Sequence, residues 1–479
     1  MLKDLKRNSV PTLVVFITMV LTLGSCTGTR IDEDADPEDL FGLFKKIERL
    51  EANDTPTGAG IGDINGDGIL DLIFPATPLE ATQAPANDSI NPDENPNNAI
   101  AQVGEIYLGK GDGTFTHSIN IELLTGLIYG DLQIGDLNGD GYPDLLYYSS
   151  DSIYLHKGGP SLESLKQGYL VWAQENAGNT SFGALIADRV ALADFNSDNE
   201  LDLFVSRWDP GSTDIESGKD AGTPRNLEVA VFEGHFPDIG SGNNWHFLSP
   251  INVSRDYQVF AFGNVDTNSE LDFIGTHFSS QSIAKLVRNK QGLHHDLTVS
   301  DNLNPYRVIA ANFSDVDGDG DQDVIVLRGY DDADENASVF EISVSETQNE
   351  ISNQYHPNPN SQSLKGIKLP RYETISEVTV ALGDFNGDGL ADAVITSPRE
   401  HKDVVYFVRQ DPNTEEGYVV GALDVTKYLS RDLAFVYDLR VADFDNNGRP
   451  DLMLGIADEL DIGFTGGSYK YYQFYLSLD

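Results

Sequence analysis

The sequence predicts an all-β fold: a seven-bladed β-propeller of four-stranded antiparallel blades, with an acidic loop between the first and second strands of each blade. A nine-residue Asp/Asn/Gly loop recurs seven times, and short apolar segments flank the copies. The 479 residues include a single Cys, so no disulfide framework stands in for a core, and the 40% hydrophobic content is ample for one. The formal net charge of -46 opposes a nonspecific hold on nucleic acid, and no such partner is expected.

The copies read DINGDGILD from Asp63, DLNGDGYPD from Asp136, DFNSDNELD from Asp194, NVDTNSELD from Asn264, DVDGDGDQD from Asp315, DFNGDGLAD from Asp384 and DFDNNGRPD from Asp443. Their starts lie about 63 residues apart on average, room for roughly four short strands per copy. Val378 to Gly383 enters the sixth loop and Ala391 to Thr396 leaves it, both short and β-branched as buried strands are. A third strand reads as Glu105 to Leu108, Ser152 to Leu155, Val339 to Val344 and Val404 to Val408, and a fainter fourth as Thr116 to Ile121. Small sheets in succession hide both faces when packed radially about an axis. After the seventh loop only Asp451 to Ile456 and Tyr472 to Leu478 read as strands, so the last blade lacks an outer strand. Leu43 to Leu50 is the expected donor, with a short helix as the alternative because its pattern alternates imperfectly.

Within each loop, side-chain oxygens at positions 1, 3, 5 and 9 and the carbonyl at position 7 can converge on one hard cation. The expected sets are Asp63, Asn65, Asp67, Ile69 and Asp71; Asp136, Asn138, Asp140, Tyr142 and Asp144; and Asp194, Asn196, Asp198, Glu200 and Asp202. They continue with Asn264, Asp266, Asn268, Glu270 and Asp272; Asp315, Asp317, Asp319, Asp321 and Asp323; Asp384, Asn386, Asp388, Leu390 and Asp392; and Asp443, Asp445, Asn447, Arg449 and Asp451. Up to seven Ca2+ ions are expected, the fourth site being doubtful because it offers only two carboxylates. An EF-hand is excluded by register, since Phe74, Tyr147 and Ile395 stand where it needs Glu. The apolar residue at loop position 2, as in Ile64, Leu137, Phe195, Val316, Phe385 and Phe444, is expected to pack between sheets.

Lys3, Lys6 and Arg7 precede an apolar stretch from Val10 to Gly24, the length of a secretory signal core rather than of a spanning helix. It ends in Leu23-Gly24-Ser25-Cys26, which resembles the bacterial lipoprotein processing box. That resemblance implies a signal peptide over 1–25, lipidation of Cys26, a lipid anchor in a membrane and, with Thr27 next, the outer membrane; the acidic segment after Cys26 resembles the surface-export signals of some bacterial groups. Residues 26–40 read as an acidic flexible tether and 41–479 as the propeller.

The loops, together with YLGKGDGTF at Tyr107 to Phe115, resemble FG-GAP or VCBS repeats of the integrin alpha-subunit head and of many bacterial surface proteins. The resemblance implies a seven-bladed propeller, Ca2+ in the loops, and adhesion or ligand recognition. It departs at Asn199, Asn264 and Asn268.

If the acidic loops emerge on one face, the opposite face collects Arg207, Trp208, Arg255, Tyr257, Tyr306, Arg307, Arg328, Tyr330, Arg371, Tyr372, Arg399 and Arg431. Guanidinium forks and rings suit an anionic or sugar ligand, while pairing of these Arg residues with the abundant acids is the structural alternative. A monomeric, noncatalytic binding or adhesion module for an extracellular glycan or protein is expected. The enzymatic alternative is a polysaccharide lyase or hydrolase acting on an acidic glycan, with His277 or His401 among its candidates.

Overall fold

A computed structural model describes residues 31–32, 44–46, 50–52, 59–76, 102–124, 132–148, 152–173, 187–193, 201–208, 227–233, 246–248, 257–263, 272–277, 284–290, 293–299, 306–316, 322–346, 356–357, 364–371, 378–396, 404–425, 434–458 and 470–477. The chain is all-β, and its antiparallel sheets form from strands in sequence order. The first sheet joins Gly60–Gly62, Asp71–Ala76, Gln102–Gly109 and Phe115–Leu123. The second joins Gln133–Gly135, Asp144–Tyr148, Ser152–His156 and Gly168–Ala173, with the short helical turn Leu162–Lys166 before its last strand. Ala187–Ala193, Asp202–Trp208, Leu227–Glu233 and His246–Leu248 make the third, and Tyr257–Gly263, Asp272–His277, Ala284–Lys290 and Leu293–Thr298 the fourth. The fifth runs Arg307–Ser314, Asp323–Asp332 and Ala337–Glu346, whose outer side pairs with both His356–Pro357 and Leu364–Pro370. Thr379–Gly383, Asp392–Thr396, Val404–Gln410 and Tyr418–Asp424 form the sixth, and Ala434–Ala442, Asp451–Asp458 and Lys470–Ser477 the chain-terminal one.

That last sheet takes its outer strand from the other end of the chain, as the missing strand required. Phe44–Lys46 and Leu50–Ala52 both pair antiparallel with Lys470–Ser477. Phe44 is fully buried, its ring 5.1 Å from Phe385 and 5.9 Å from Phe407. Within the segment read as a tether, Ile31–Asp32 pairs in parallel with Val420 and Gly421 on the outer edge of the sixth sheet.

Neighbouring sheets share apolar layers because both faces of these strands are apolar and water is excluded from each gap. Ile73, Ile106 and Ile121 of the first sheet pack with Leu145 and Tyr147 of the second, and Ile325 and Phe340 of the fifth with Ile395 and Val408 of the sixth. The first sheet also packs on the last: Phe74 stacks on Tyr472 with centroids 4.4 Å apart, and Gly113 N–H donates to the Phe444 carbonyl at 3.2 Å. The inner strands of the last four sheets line a cavity of about 710 Å3, with Phe260, Asn312, Val380, Asp438 and Arg440 on its wall.

One buried polar network belongs to this frame. His156 Nδ1–H donates to the Leu165 carbonyl at 2.6 Å, which leaves Nε2 to accept the Tyr147 hydroxyl proton at 3.1 Å, while Leu124 N–H donates to that hydroxyl oxygen at 2.7 Å. Burial holds the His156 imidazole below its ordinary value of 6.5, against a weaker upward pull from the Leu165 carbonyl. The unfolded chain therefore binds this proton more readily, so the contribution to stability is complete above the ordinary value and is lost as pH falls through the depressed one. On acidification from about pH 7 to about pH 5 the melting temperature of the natural protein should lose ground to that of His156→Gln. Equal slopes would assign the acid sensitivity to other groups.

Candidate functional site

Each acidic loop connects the first strand of a sheet to its second, at one end of the sheet. The first, second, sixth and seventh loops are described throughout and share one hydrogen-bond pattern. In the first, Asp63 Oδ1 accepts the Gly66 and Asp67 N–H groups at 2.7 and 3.0 Å, and Oδ2 accepts Gly68 N–H at 2.7 Å. Asn65 and Asp67 each accept the N–H two residues on, at 2.8 and 2.9 Å. The bond from position 4 recurs in the sixth loop, from Gly387 N–H to Asp384, and the other four recur from Asp136, Asn138 and Asp140, from Asp384, Asn386 and Asp388, and from Asp443, Asp445 and Asn447.

The curl needs left-handed backbone at positions 4 and 6. Gly66 and Gly68 stand at φ 77° and 84°, and in the seventh loop Asn446 and Gly448 stand at 63° and 86°. Asn tolerates this region better than other side chains. The fourth loop carries Thr267 and Ser269 at these positions, and β-branched Thr disfavours such backbone. Its departure therefore extends beyond its ligand count.

The ninth-position acid does more than the sequence suggested. Asp71 is fully buried; its Oδ2 accepts Ile64 N–H at 3.0 Å and its Oδ1 accepts Gly109 N–H at 2.9 Å, at the end of the third strand. Asp144 holds Leu137 and Gly158 in the same way, at 3.1 and 2.7 Å, and Asp451 holds Phe444 and Ser477, both at 2.7 Å. A Cβ on Gly109 or Gly158 would run into the Leu70 or Pro143 carbonyl oxygen, so the approach of third strand to loop demands glycine there. In the sixth loop Asp392 Oδ1 accepts Gln410 N–H at 3.0 Å, whereas the Phe385 N–H approaches the carboxylate without a well-formed hydrogen bond to the buried Oδ2.

Burial, reinforced by the other loop carboxylates and opposed by the backbone N–H groups, pushes Asp71, Asp144 and Asp451 up to about 6. Burial likewise raises Asp384, and Asp392 well above the usual carboxylate range. These cages carry more negative charge than their surroundings favour. The donor set is all oxygen and mixed in type, which suits a hard cation such as Ca2+, and a cation would complete the poorly satisfied Asp392 oxygen. Carboxylate oxygens of Asp443, Asp445 and Asp451 lie within 4.8 Å of one another.

In the fifth loop Asp315 is exposed and Asp323 accepts Val316 N–H at 3.1 Å. Asp317, Asp319, Asp321, Asp194, Asn196, Asp198, Glu200, Asn264, Asp266, Asn268 and Glu270 lie outside the described residues, as does Cys26. Asp202 and Asp272 start the second strands of their sheets, where Asp71 starts the first sheet's. The position-2 residues Ile64, Leu137, Val316, Phe385 and Phe444 are all buried, as core packing requires. Phe195 lies outside the described residues.

The opposite end of the sheets is where strand direction puts the described Arg and aromatic positions. Tyr306, Arg307, Tyr257, Arg207 and Trp208 stand at strand ends away from the loops. Tyr306 and Tyr330 meet edge to face at 4.8 Å, both half-buried, while Arg307 and Arg371 are exposed. Arg328 is a correction: it is 3% exposed, and its guanidinium pairs with Glu341 at 3.3 Å across adjacent strands. A charge so enclosed faces its partner instead of a ligand. Arg255, Tyr372, Arg399, Arg431 and His401 lie outside the described residues, and His277 ends a strand of the fourth sheet.

A sequence model of the FG-GAP-like repeat matches residues 95–147 and 384–454. The chain contains FG-GAP-like repeats. The matched stretches include the second, sixth and seventh loops, and so three of the four cages described above. No curated protein sequence matches the chain. Among solved structures, similarity extends to a triple arginine mutant of AofleA from Arthrobotrys oligospora, at 11% identity over 79% of this chain and 90% of that one, with a TM-score of 0.36. The S. cerevisiae core factor gives 10% identity over 94% and 63%, with a TM-score of 0.42. A mutant of the alpha-l-arabinofuranosidase arb93a from Fusarium graminearum gives 12% over 89% and 97%, with 0.37.

Proposed function

We propose that the sheets form a closed, calcium-stabilised seven-bladed propeller, carried on a lipid anchor at Cys26 in a bacterial outer membrane and acting as a noncatalytic binding module. The observation that carries this reading is the repetition of one acidic cage in every fully described loop, each closed by a buried ninth-position carboxylate. A cation supplies the counter-charge that these carboxylates lack. It also links the first and second strands to the end of the third, so binding stabilises whole sheets. Packing of the first sheet on the last favours ring closure.

The face away from the loops is the ligand surface in this reading, centred on Tyr306, Arg307, Tyr330 and Arg371, with a glycan or a protein as ligand. Rings and guanidinium groups serve both.

Calcium removal is the direct test. A chelator should lower the melting temperature of the mature protein, because an ion bound only by the folded form stabilises it by mass action. Elemental analysis of calcium-equilibrated protein should find several ions per chain. Identical melting with and without chelator would overturn the reading. A glycan array scored for retention and for chain cleavage separates the binding module from the lyase or hydrolase.

A further inference from the structure

The sixth and seventh loops touch through a charge. Arg449 occupies position 7 of the seventh loop, where its carbonyl belongs to that loop's own donor set, but its side chain leaves for the neighbour. A Cβ placed on Gly387 of the sixth loop would lie 2.9 Å from Arg449 Cζ and 3.0 Å from Nε, so the guanidinium rests directly on the Gly387 backbone. Gly387 lies between Asn386 and Asp388, two members of the sixth cage, and its N–H donates to Asp384 Oδ1 at 2.7 Å. A side chain at this position would displace the guanidinium; glycine leaves room for it and also satisfies φ 69°.

The sixth loop is the described loop whose cation site rests on more than its acids, because the fully buried Asp392 keeps there an oxygen with no well-formed hydrogen bond. We propose that Arg449 is a built-in competing cation that weakens ion binding at the sixth loop and couples it to the seventh. This rests on the calcium reading above and deepens it. The first loop supplies the internal comparison: Asp63, Asn65, Asp67 and Asp71 repeat the side-chain donors Asp384, Asn386, Asp388 and Asp392, while no Cβ on its Gly66 would meet any atom within 4 Å. Two cages of equal donors thus differ in whether a guanidinium rests on the position-4 glycine. Repulsion between a divalent ion and a guanidinium several ångströms away in a water-like medium, screened by salt, amounts to about a threefold loss of affinity.

Hydrogen exchange read by mass spectrometry on the whole mature protein, titrated with calcium, resolves the loops separately through peptides covering 59–76 and 379–396. In the natural protein the sixth-loop peptide should reach half-protection at about three times the calcium concentration needed by the first. Arg449→Gln should move the sixth-loop midpoint down by about that factor and leave the first-loop midpoint in place, while Arg449→Lys, which keeps the charge, should stay near the natural value. Raising the salt to about 1 M should shrink the difference between natural protein and Arg449→Gln. An unchanged sixth-loop midpoint in Arg449→Gln, or an equal shift in Arg449→Lys, overturns the proposal while leaving the calcium reading intact. Absence of calcium-dependent protection in every loop peptide overturns both.

Discussion

Asp451→Ala should lower the free energy of unfolding by about 2–5 kcal/mol, and should do so in chelator as well as in calcium. The carboxylate is fully buried and accepts Phe444 N–H and Ser477 N–H, both at 2.7 Å. Removing it leaves two enclosed donors without an acceptor, each costing roughly 1–3 kcal/mol, and relief of a carboxylate that burial has pushed up to about 6 offsets part of that. Asp388→Ala is the matched contrast. Asp388 is exposed, and it accepts two hydrogen bonds from within the loop, Leu390 N–H on Oδ1 at 2.9 Å and the Asn386 side-chain amide on Oδ2 at 3.0 Å. Its loss should cost little in chelator and more in calcium, since what it supplies to the fold is a ligand. Urea denaturation of both variants, with and without calcium, gives four numbers. Equal costs for the two variants in chelator would mean that the ninth-position acids do not tie the third strand to the loop.

That contrast also marks where sequence stops being informative. The loops were legible because every feature that builds them is local: acids at alternate positions, glycine where φ turns positive, an apolar residue at position 2 that packs inward. The second role of Asp71, Asp144 and Asp451 was not, because their partners Gly109, Gly158 and Ser477 lie 38, 14 and 26 residues away, at or just past the end of a third strand. The one available hint was glycine at the end of the third strand in the first two sheets, and Gln410 and Ser477 replace it later. Arg328 was misplaced for a similar reason. Its partner Glu341 stands across a hairpin whose third strand runs two residues farther at each end than Val339 to Val344, so a position read as a surface connection lies inside the sheet. Strand direction fared better: once the loops are known to join first and second strands, the end on which Tyr306, Arg307 and Tyr330 emerge follows.

The second large effect is expected from Phe44→Ala, at about 3–5 kcal/mol. Phe44 is a buried residue of a three-residue strand whose pairing with Lys470–Ser477 supplies only a few hydrogen bonds. Its ring instead enters the layer between the sixth and seventh sheets beside Phe385, Phe407 and Tyr475, so one side chain from the start of the chain fastens the last sheet. Truncation leaves a ring-sized cavity among residues that belong to two rigid sheets, which can close on it only slightly. The cost should fall below additivity when Phe44→Ala is combined with Phe385→Ala, since the two rings share one contact at 5.1 Å. Loss of the outer strand would also bare the backbone edge of Lys470–Ser477, an invitation to pair with another molecule. Concentration-dependent oligomers should therefore accompany the lower stability in size-exclusion chromatography. A Phe44→Ala protein that remains monomeric and unfolds within about 1 kcal/mol of the natural one would mean that the N-terminal strand is an ornament on a sheet that holds without it.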